Sequence, residues 1–263
     1  MKKVAIIGYG YVGKAMFNLF LDHYQMSVYD KETSISTPCR ADQQEINKCD
    51  LAIVCVPTPR GEEGECDISA LHETFKWLRV KNVVIKSTVE VGTTHRLQNL
   101  YPRHNIVFSP EYAGESSYWS SYKFHTDVKE MPYFIFGGQD PSPIIDFYLP
   151  VLGPEKEYII TDSKSAEMAK YMENCFYATK VAFCNEMYDI CSASNVDYNV
   201  VRELWLKDPR INRMHTAVFK DKRGFGGKCL PKDLSALITS AEKSGKSATI
   251  LKAVQQANKD WGQ

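Results

Sequence analysis

Hydrophobic positions in the first half of the chain fall into short, nearly unbroken runs separated by helical spacing. Lys3–Ile7, Met26–Tyr29, Leu51–Val56, Val83–Lys86, Ile106–Phe108 and Tyr133–Phe136 read as strands. Most are apolar throughout rather than alternating, the pattern of parallel strands covered on both faces. Lys14–His23, Ser69–Trp77 and Thr93–Leu100 carry helical periodicity between them. Strands and helices alternating in this way predict a doubly wound α/β sheet. From Ser163 the texture changes. Residues Ser163 to Ser194 contain neither glycine nor proline and predict one extended helix, with Ser163 or Ser165 as its cap. Further helices are expected over Val196–Leu206, Asp233–Ser244 and Ala248–Trp261. The predicted division is a sheet domain over residues 1–162 and an all-helical domain over 163–263.

Glycines sharpen this picture. Gly8-Tyr9-Gly10-Tyr11-Val12-Gly13 follows the first strand directly and opens a helix, and Asp30 ends the second strand. G-x-G-x-x-G in that setting is the dinucleotide fingerprint of a Rossmann-like domain. Gly8 permits the tight turn, Gly10 lets the backbone approach a pyrophosphate, and Gly13 lets helix and strand pack closely. Asp30 is expected to accept hydrogen bonds from the adenosine ribose, favouring NAD over NADP, a preference that neighbouring Lys31 weakens. Pro57-Thr58 and Ser87-Thr88 follow the third and fourth strands, at the carboxyl ends where such sheets bind ligands, although each hydroxyl also suits a helix cap.

Composition excludes several classes. Thirty-two basic residues balance thirty-two acidic ones, so no global field draws the chain to nucleic acid or an anionic membrane. No apolar stretch reaches the roughly 20 residues that span a bilayer. The start, Met1-Lys2-Lys3 before Val4-Ala5-Ile6-Ile7, is too short for a signal sequence and reads as a strand. The eight cysteines form no C-x-x-C pair and no zinc spacing with histidine, so they read as reduced thiols of a cytoplasmic protein, with no metal site.

One thiol stands apart. In Gly224-Phe225-Gly226-Gly227-Lys228-Cys229-Leu230-Pro231-Lys232-Asp233, three glycines in four positions open the backbone to a ligand immediately before Cys229. Lys228 and Lys232 favour its thiolate, which makes it a candidate nucleophile, while Asp233 is also a candidate cap for the next helix. Lys170 and Asn174 lie four residues apart, on one helix face, and either line a site or belong to a solvated surface.

The GFGGKCLPKD segment resembles the cysteine loop of the UDP-glucose/GDP-mannose dehydrogenase family. The resemblance continues through GYGYVG, VPTPRGEEGECDISAL at Val56–Leu71, KSTVEVGTT at Lys86–Thr94, SPEYAGES at Ser109–Ser116 and AEMAKYMENCFYATKVAFCNE at Ala166–Glu186. It implies an NAD-dependent enzyme that oxidises a nucleotide-sugar alcohol to an acid in two steps through a cysteine-bound intermediate. By resemblance Cys229 is the nucleophile, and Lys170 and Asn174 hydrogen-bond the reacting oxygen. Asp233 helps hold the water or the lysine, and Glu111 activates water. Glu115 and Thr88 lie near the nicotinamide. The substrate contacts it implies are Glu111, Glu115, Lys170, Asn174, Gly226, Gly227 and Cys229, with Arg210 as a phosphate contact. Relatives dimerise through the helical domain, so a homodimer is expected, as the apolar Met168, Tyr171, Met172, Phe176, Val181 and Phe183 also suggest.

The match has gaps. Glu90 stands where a proline is common, and Trp205 to Gly224 fits the substrate loop only loosely. Family members usually continue into a second Rossmann-like domain for the nucleotide, whereas this sequence ends at Gln263, so a fragment and a short form are both open. Two other readings remain: a single-step hydroxy-acid dehydrogenase, which needs no thiol, and an NAD-binding dimer without full catalysis.

Overall fold

The structure, a computed structural model, describes residues 1–112, 123 and 127–262. It divides into two compact units, Met1–Pro59 with Asp67–Lys170, and Arg60–Cys66 with Tyr171–Gln263.

In the first unit the chain runs β1 (Lys3–Ile7), α1 (Tyr11–Phe20), β2 (Gln25–Tyr29), α2 (Gln43–Ile46), β3 (Leu51–Val54), α3 (Ser69–Trp77), β4 (Asn82–Ile85), α4 (Thr93–Leu100), β5 (Asn105–Phe108), β6 (Tyr133–Gly138), α5 (Ser142–Leu152) and β7 (Glu157–Thr161). The strands form one sheet in the order β2-β1-β3-β4-β5-β6-β7. β1 to β5 are parallel, as the apolar runs imply. β6 reverses, pairing antiparallel to β5 through Val107 with Gly138 and Phe108 with Gly137, and β7 then runs parallel to β6.

Alternate residues of each buried strand feed opposite layers, which is why the runs show no alternation. Val4, Ile6, Leu51, Ile53 and Val84 pack with Met16, Phe17 and Phe20 of α1 and Ile144, Phe147 and Tyr148 of α5. Ala5, Ile7, Ala52, Val54, Val83 and Ile85 pack with Ile46, Leu71, Phe75 and Leu97 on the other face. Each large side chain so buried contributes about 1.5–3 kcal/mol.

α6 (Ser163–Ala193) begins in the first unit and continues into the second. Asp162, rather than Ser163 or Ser165, caps it: its carboxylate accepts from the Ser165 backbone at 3.0 Å and the Ser165 hydroxyl at 2.5 Å. The second unit adds α7 (Tyr198–Trp205), α8 (Leu230–Lys243) and α9 (Thr249–Asp260). Its core sets Cys175, Ala178 and Ala182 of α6 against Phe225, Leu234 and Ile238, with Val254 of α9. The small side chains let the helices approach closely. All eight cysteines are free thiols.

Candidate functional site

Three places carry the predicted site residues, and the glycine turn between β1 and α1 is the first. Gly8 has φ +89°, and a Cβ there would stand 2.6 Å from the Cys55 carbonyl oxygen. A Cβ on Gly13 would stand 2.0 Å from the Gly8 carbonyl, so both positions exclude a side chain by contact with backbone. Gly10 differs: at the N-cap of α1 it is extended, with nothing within 4 Å of where a Cβ would be. No side chain caps α1. An open backbone approach at a helix start, with Tyr11 and Val12 in the first turn, fits a phosphate group. Asp30 receives the Tyr9 backbone N–H at 2.6 Å and that of Glu32 at 2.9 Å, one on each oxygen. Each oxygen keeps a lone pair with which to accept a ribose hydroxyl. Lys31 reaches instead to Glu73, 3.0 Å away on the surface.

The carboxyl ends of β3, β4 and β5 form the second place. The Thr58 hydroxyl donates to the Thr88 carbonyl at 2.7 Å, and the Ser87 hydroxyl to the Val56 carbonyl at 2.6 Å. These hydroxyls brace one loop against the other rather than capping helices, with Pro57 exposed between them. Below them Lys86, which ends β4's apolar run, is buried. Its ammonium contacts Ser109 Oγ at 3.2 Å, the Pro110 carbonyl at 3.4 Å and Glu111 Oε2 at 3.7 Å. Burial pushes its pKa down, and the Glu111 charge is the main opposing influence. The other Glu111 oxygen accepts from the Tyr112 backbone at 2.8 Å, and the Lys170 ammonium lies 4.8 Å from the centre of the Tyr112 ring. Glu111 and Lys170 are thus joined through Tyr112. Nearby, buried Glu167 accepts the backbone N–H groups of Gly92 at 2.5 Å and Thr94 at 2.8 Å, so it caps α4 from α6. Burial raises its pKa, opposed by those hydrogen bonds.

The third place is the cysteine loop. Cys229 is exposed at the N-cap of α8, and helix begins at Leu230, ahead of the predicted Asp233, because Pro231 is tolerated in a first turn. Asp233 is therefore inside the helix, 1% exposed, and its backbone N–H donates to the Cys229 carbonyl at 2.9 Å. Its carboxylate accepts from Asn174 Nδ2 at 2.5 Å and pairs with Lys232 Nζ at 2.5 Å. Lys232 is thus committed to Asp233, and Lys228 is exposed. Gly227 has φ +81° with open space around it, and Gly226 is exposed beside it. The loop is anchored by Phe225, whose backbone N–H donates to Asn258 Oδ1 at 2.8 Å while Asn258 Nδ2 returns a bond to its carbonyl at 2.9 Å. Buried Asn185 accepts from Gly224 N at 3.1 Å and Arg223 Nε at 2.7 Å.

Asn174 and Asp233 therefore share a side-chain hydrogen bond one helical turn from Cys229, and Glu111 and Lys170 both contact Tyr112. Arg210 joins neither: it is highly exposed and clasps Asp208 through Nε and Nη2 at 2.6–3.1 Å. Glu115 lies outside the described residues. Lys86, Glu167, Asn185 and Asn258 received no role from the sequence, although Lys86 left a signal as a charge closing an otherwise apolar strand. Among the described residues no cluster of histidine, cysteine, aspartate or glutamate could hold a metal ion, and no described helix is long and apolar enough to cross a membrane.

Comparison with known proteins agrees with this arrangement. Residues 21–143 match the NAD binding domain of the UDP-glucose/GDP-mannose dehydrogenase family and residues 164–260 its central domain. A UDP-glucose 6-dehydrogenase of Pseudomonas aeruginosa is 32% identical over 227 residues, covering 80% of this chain and 48% of the relative. A UDP-glucose 6-dehydrogenase of Bacillus subtilis is 29% identical over 302 residues, covering 98% and 63%. The chain thus spans about half the length of the curated relatives it matches, and under two thirds of the longer match. A UDP-glucose dehydrogenase from the hyperthermophilic archaeon Pyrobaculum islandicum shares the fold at TM-score 0.84 and 24% identity, over 99% of this chain and 68% of that one. The 3-hydroxyisobutyrate dehydrogenase of Mycobacterium tuberculosis shares it at TM-score 0.72 and 17% identity, over 97% and 92%. With both domain matches in register along the sequence, the chain belongs to the UDP-glucose/GDP-mannose dehydrogenase family.

Proposed function

We propose that this chain serves the NAD-dependent, two-step oxidation of a nucleotide-sugar primary alcohol, of the UDP-glucose to UDP-glucuronate type. The observation that carries the reading is an exposed thiol, Cys229, at the head of α8 after a glycine-rich loop, one helical turn before the buried Asp233 carboxylate that accepts from Asn174. The net change converts R–CH2OH, two NAD+ and water to R–COO⁻, two NADH and three protons. Gly8, Gly10, Tyr11, Val12 and Gly13 would hold the NAD pyrophosphate and Asp30 its ribose, with Pro57, Thr58, Ser87 and Thr88 beside it; NAD held there would supply the hydride acceptor for each oxidation.

The remaining work falls to the chain's own groups. Lys170 and Asn174 stabilise negative charge on the reacting oxygen. Cys229 sulfur adds to the aldehyde carbon, and the second oxidation leaves a thioester. Glu111 takes a proton from water as its oxygen bonds to the thioester carbon and the C–S bond breaks. Gly226 and Gly227 leave room for substrate. Arg210 is retained as a phosphate contact, for which it would first release Asp208. Glu115 would act near the nicotinamide, as the resemblance implies. Residues 1–162 would bind NAD, and 163–263 would bind substrate and pair two copies. The pairing draws support from Met168, Met172, Phe176, Phe183 and Ile190, exposed on α6 at spacings of four and seven residues. Light scattering of Phe176→Asp beside wild type tests it. Eight free thiols favour a reducing, cytoplasmic location.

A single-step hydroxy-acid dehydrogenase is the second reading, favoured by the fold match that covers 92% of a 3-hydroxyisobutyrate dehydrogenase. NADH release by wild type and Cys229→Ala with UDP-glucose and a panel of nucleotide sugars separates the two. About two NADH per sugar, with the alanine variant unable to complete the second oxidation, is the expected result. Turnover of a hydroxy acid that is indifferent to Cys229 would replace the first reading by the second. NAD binding without turnover of either class would leave a binding protein.

A further inference from the structure

Lys86 is a buried charge that the reaction outlined above does not use. Its side chain is 1% exposed. An ammonium has three N–H groups, and here three acceptors face it in consecutive residues: Ser109 Oγ at 3.2 Å, the Pro110 carbonyl at 3.4 Å and Glu111 Oε2 at 3.7 Å. All three sit just beyond β5, whereas Lys86 ends β4 and its own backbone N–H donates to the Val54 carbonyl at 2.9 Å. The lysine therefore fastens the turn after one strand to the end of its neighbour. The charged and titratable groups around it come from each adjoining element: Glu111 from the β5 turn, Cys55 from the end of β3 and Lys170 from α6. Tyr148 of α5 faces Glu111 and Cys55. Burial holds the Cys55 and Tyr148 protons in place, and Glu111 is the carboxyl group whose oxygen faces the Lys86 ammonium.

We propose that Lys86 is a positioning residue for the hydrolytic half of the reaction, fixing the Glu111 carboxylate where it deprotonates the attacking water. The inference rests on the role given to Glu111 above. The contacts of Glu111 include Lys86 on Oε2 and the Tyr112 N–H on Oε1. Without the ammonium, Oε2 loses its cationic neighbour in a nearly dry site and the carboxylate turns away. Both oxidations precede this need. Loss of Lys86 should therefore spare thioester formation and slow only the step in which water oxygen bonds to the acyl carbon and thiolate leaves.

The test is Lys86→Met, nearly isosteric and uncharged, assayed by rapid mixing with UDP-glucose and NAD and by intact-mass spectrometry. The expected result is a burst of two NADH per chain followed by turnover at least 100-fold slower than wild type, with the acyl adduct accumulating on Cys229. Equal slowing of every phase with no adduct would overturn the proposal. Should the variant fail to fold, the double variant Lys86→Met/Glu111→Gln decides: recovery of the fold shows that the stranded Glu111 charge was the defect, and no recovery overturns the assignment. If wild type turns over no nucleotide sugar, the proposed function falls by itself. Melting temperatures of the two single variants and the double variant then read the pairing directly, additive losses counting against it and a smaller loss in the double variant for it.

Discussion

Asn258 makes a sharp claim about the cysteine loop. It lies on α9, 5% exposed, and exchanges two hydrogen bonds with the backbone of one residue, Phe225, four positions before Cys229. Asn258→Ala removes both partners at once and leaves a buried N–H and a buried C=O unsatisfied. Each orphaned group costs about 1–3 kcal/mol, and water entering the vacated space recovers part of that, so a loss of about 2–4 kcal/mol is expected. Phe225 itself stays packed against Leu234 and Ile238, so the loss should appear as local opening rather than global unfolding. At tenfold per 1.4 kcal/mol, the open fraction of the loop rises about 30- to 700-fold. Hydrogen exchange read by mass spectrometry on peptides covering residues 224–230 measures this as faster exchange by the same factor. Asn258→Asp is the control: one oxygen still accepts from Phe225, but the other faces the Phe225 carbonyl, so exchange should accelerate at least as much. Unchanged exchange in the alanine variant would refute the reasoning and assign the loop's order to Phe225 packing alone.

Two further expectations follow from the geometry. Gly13→Ala drives a Cβ to 2.0 Å from the Gly8 carbonyl and should cost about 3 kcal/mol or more, whereas Gly10→Ala meets nothing within 4 Å and should change stability by less than about 0.5 kcal/mol. NAD affinity of Gly10→Ala, by calorimetry, should nonetheless fall at least tenfold; unchanged affinity would remove Gly10 from the cofactor site. Glu167 has its pKa raised by burial, so its contribution to stability is fully present below the unfolded-state value and is lost as pH rises through the folded one. The stability deficit of Glu167→Gln relative to wild type, from urea titrations, should therefore narrow as pH climbs through that raised pKa, and a deficit that widens would contradict the assignment.

The sheet was readable where burial was complete. β1 carries the predicted limits because an apolar run ends in a glycine that must turn, and Val83–Ile85 identified β4 because both its faces are covered. β7 escaped notice because Glu157–Thr161 is an edge strand with no fully buried residue, which leaves neither a run nor an alternation to detect. α5 carries Pro143 and Pro150, which obscure a helical pattern, although the first falls in the opening turn where its missing N–H costs nothing. At the site, the glycine turn and Cys229 were legible because their chemistry is local to a few consecutive residues. The partners were not. That Asp233 would take Asn174, that Phe225 would take Asn258 and that Glu167 would cap α4 are decided by which distant segments meet, and no local pattern records it.

The short segment Arg60–Cys66 belongs with the helical unit, and there the Thr239 hydroxyl donates to the Glu63 carbonyl across 176 residues of sequence. A Cβ on Gly64 would stand 2.6 Å from Ser235 Oγ, so this stretch is seated closely on α8. During synthesis at about 5–20 residues per second, the segment leaves the ribosome some 9 to 35 s before its seat exists. The flanking sheet strands can pair in that interval while the segment waits exposed. The order of assembly is thereby written into the chain: α8, with the thiol at its head, is made late and is met by a piece made early.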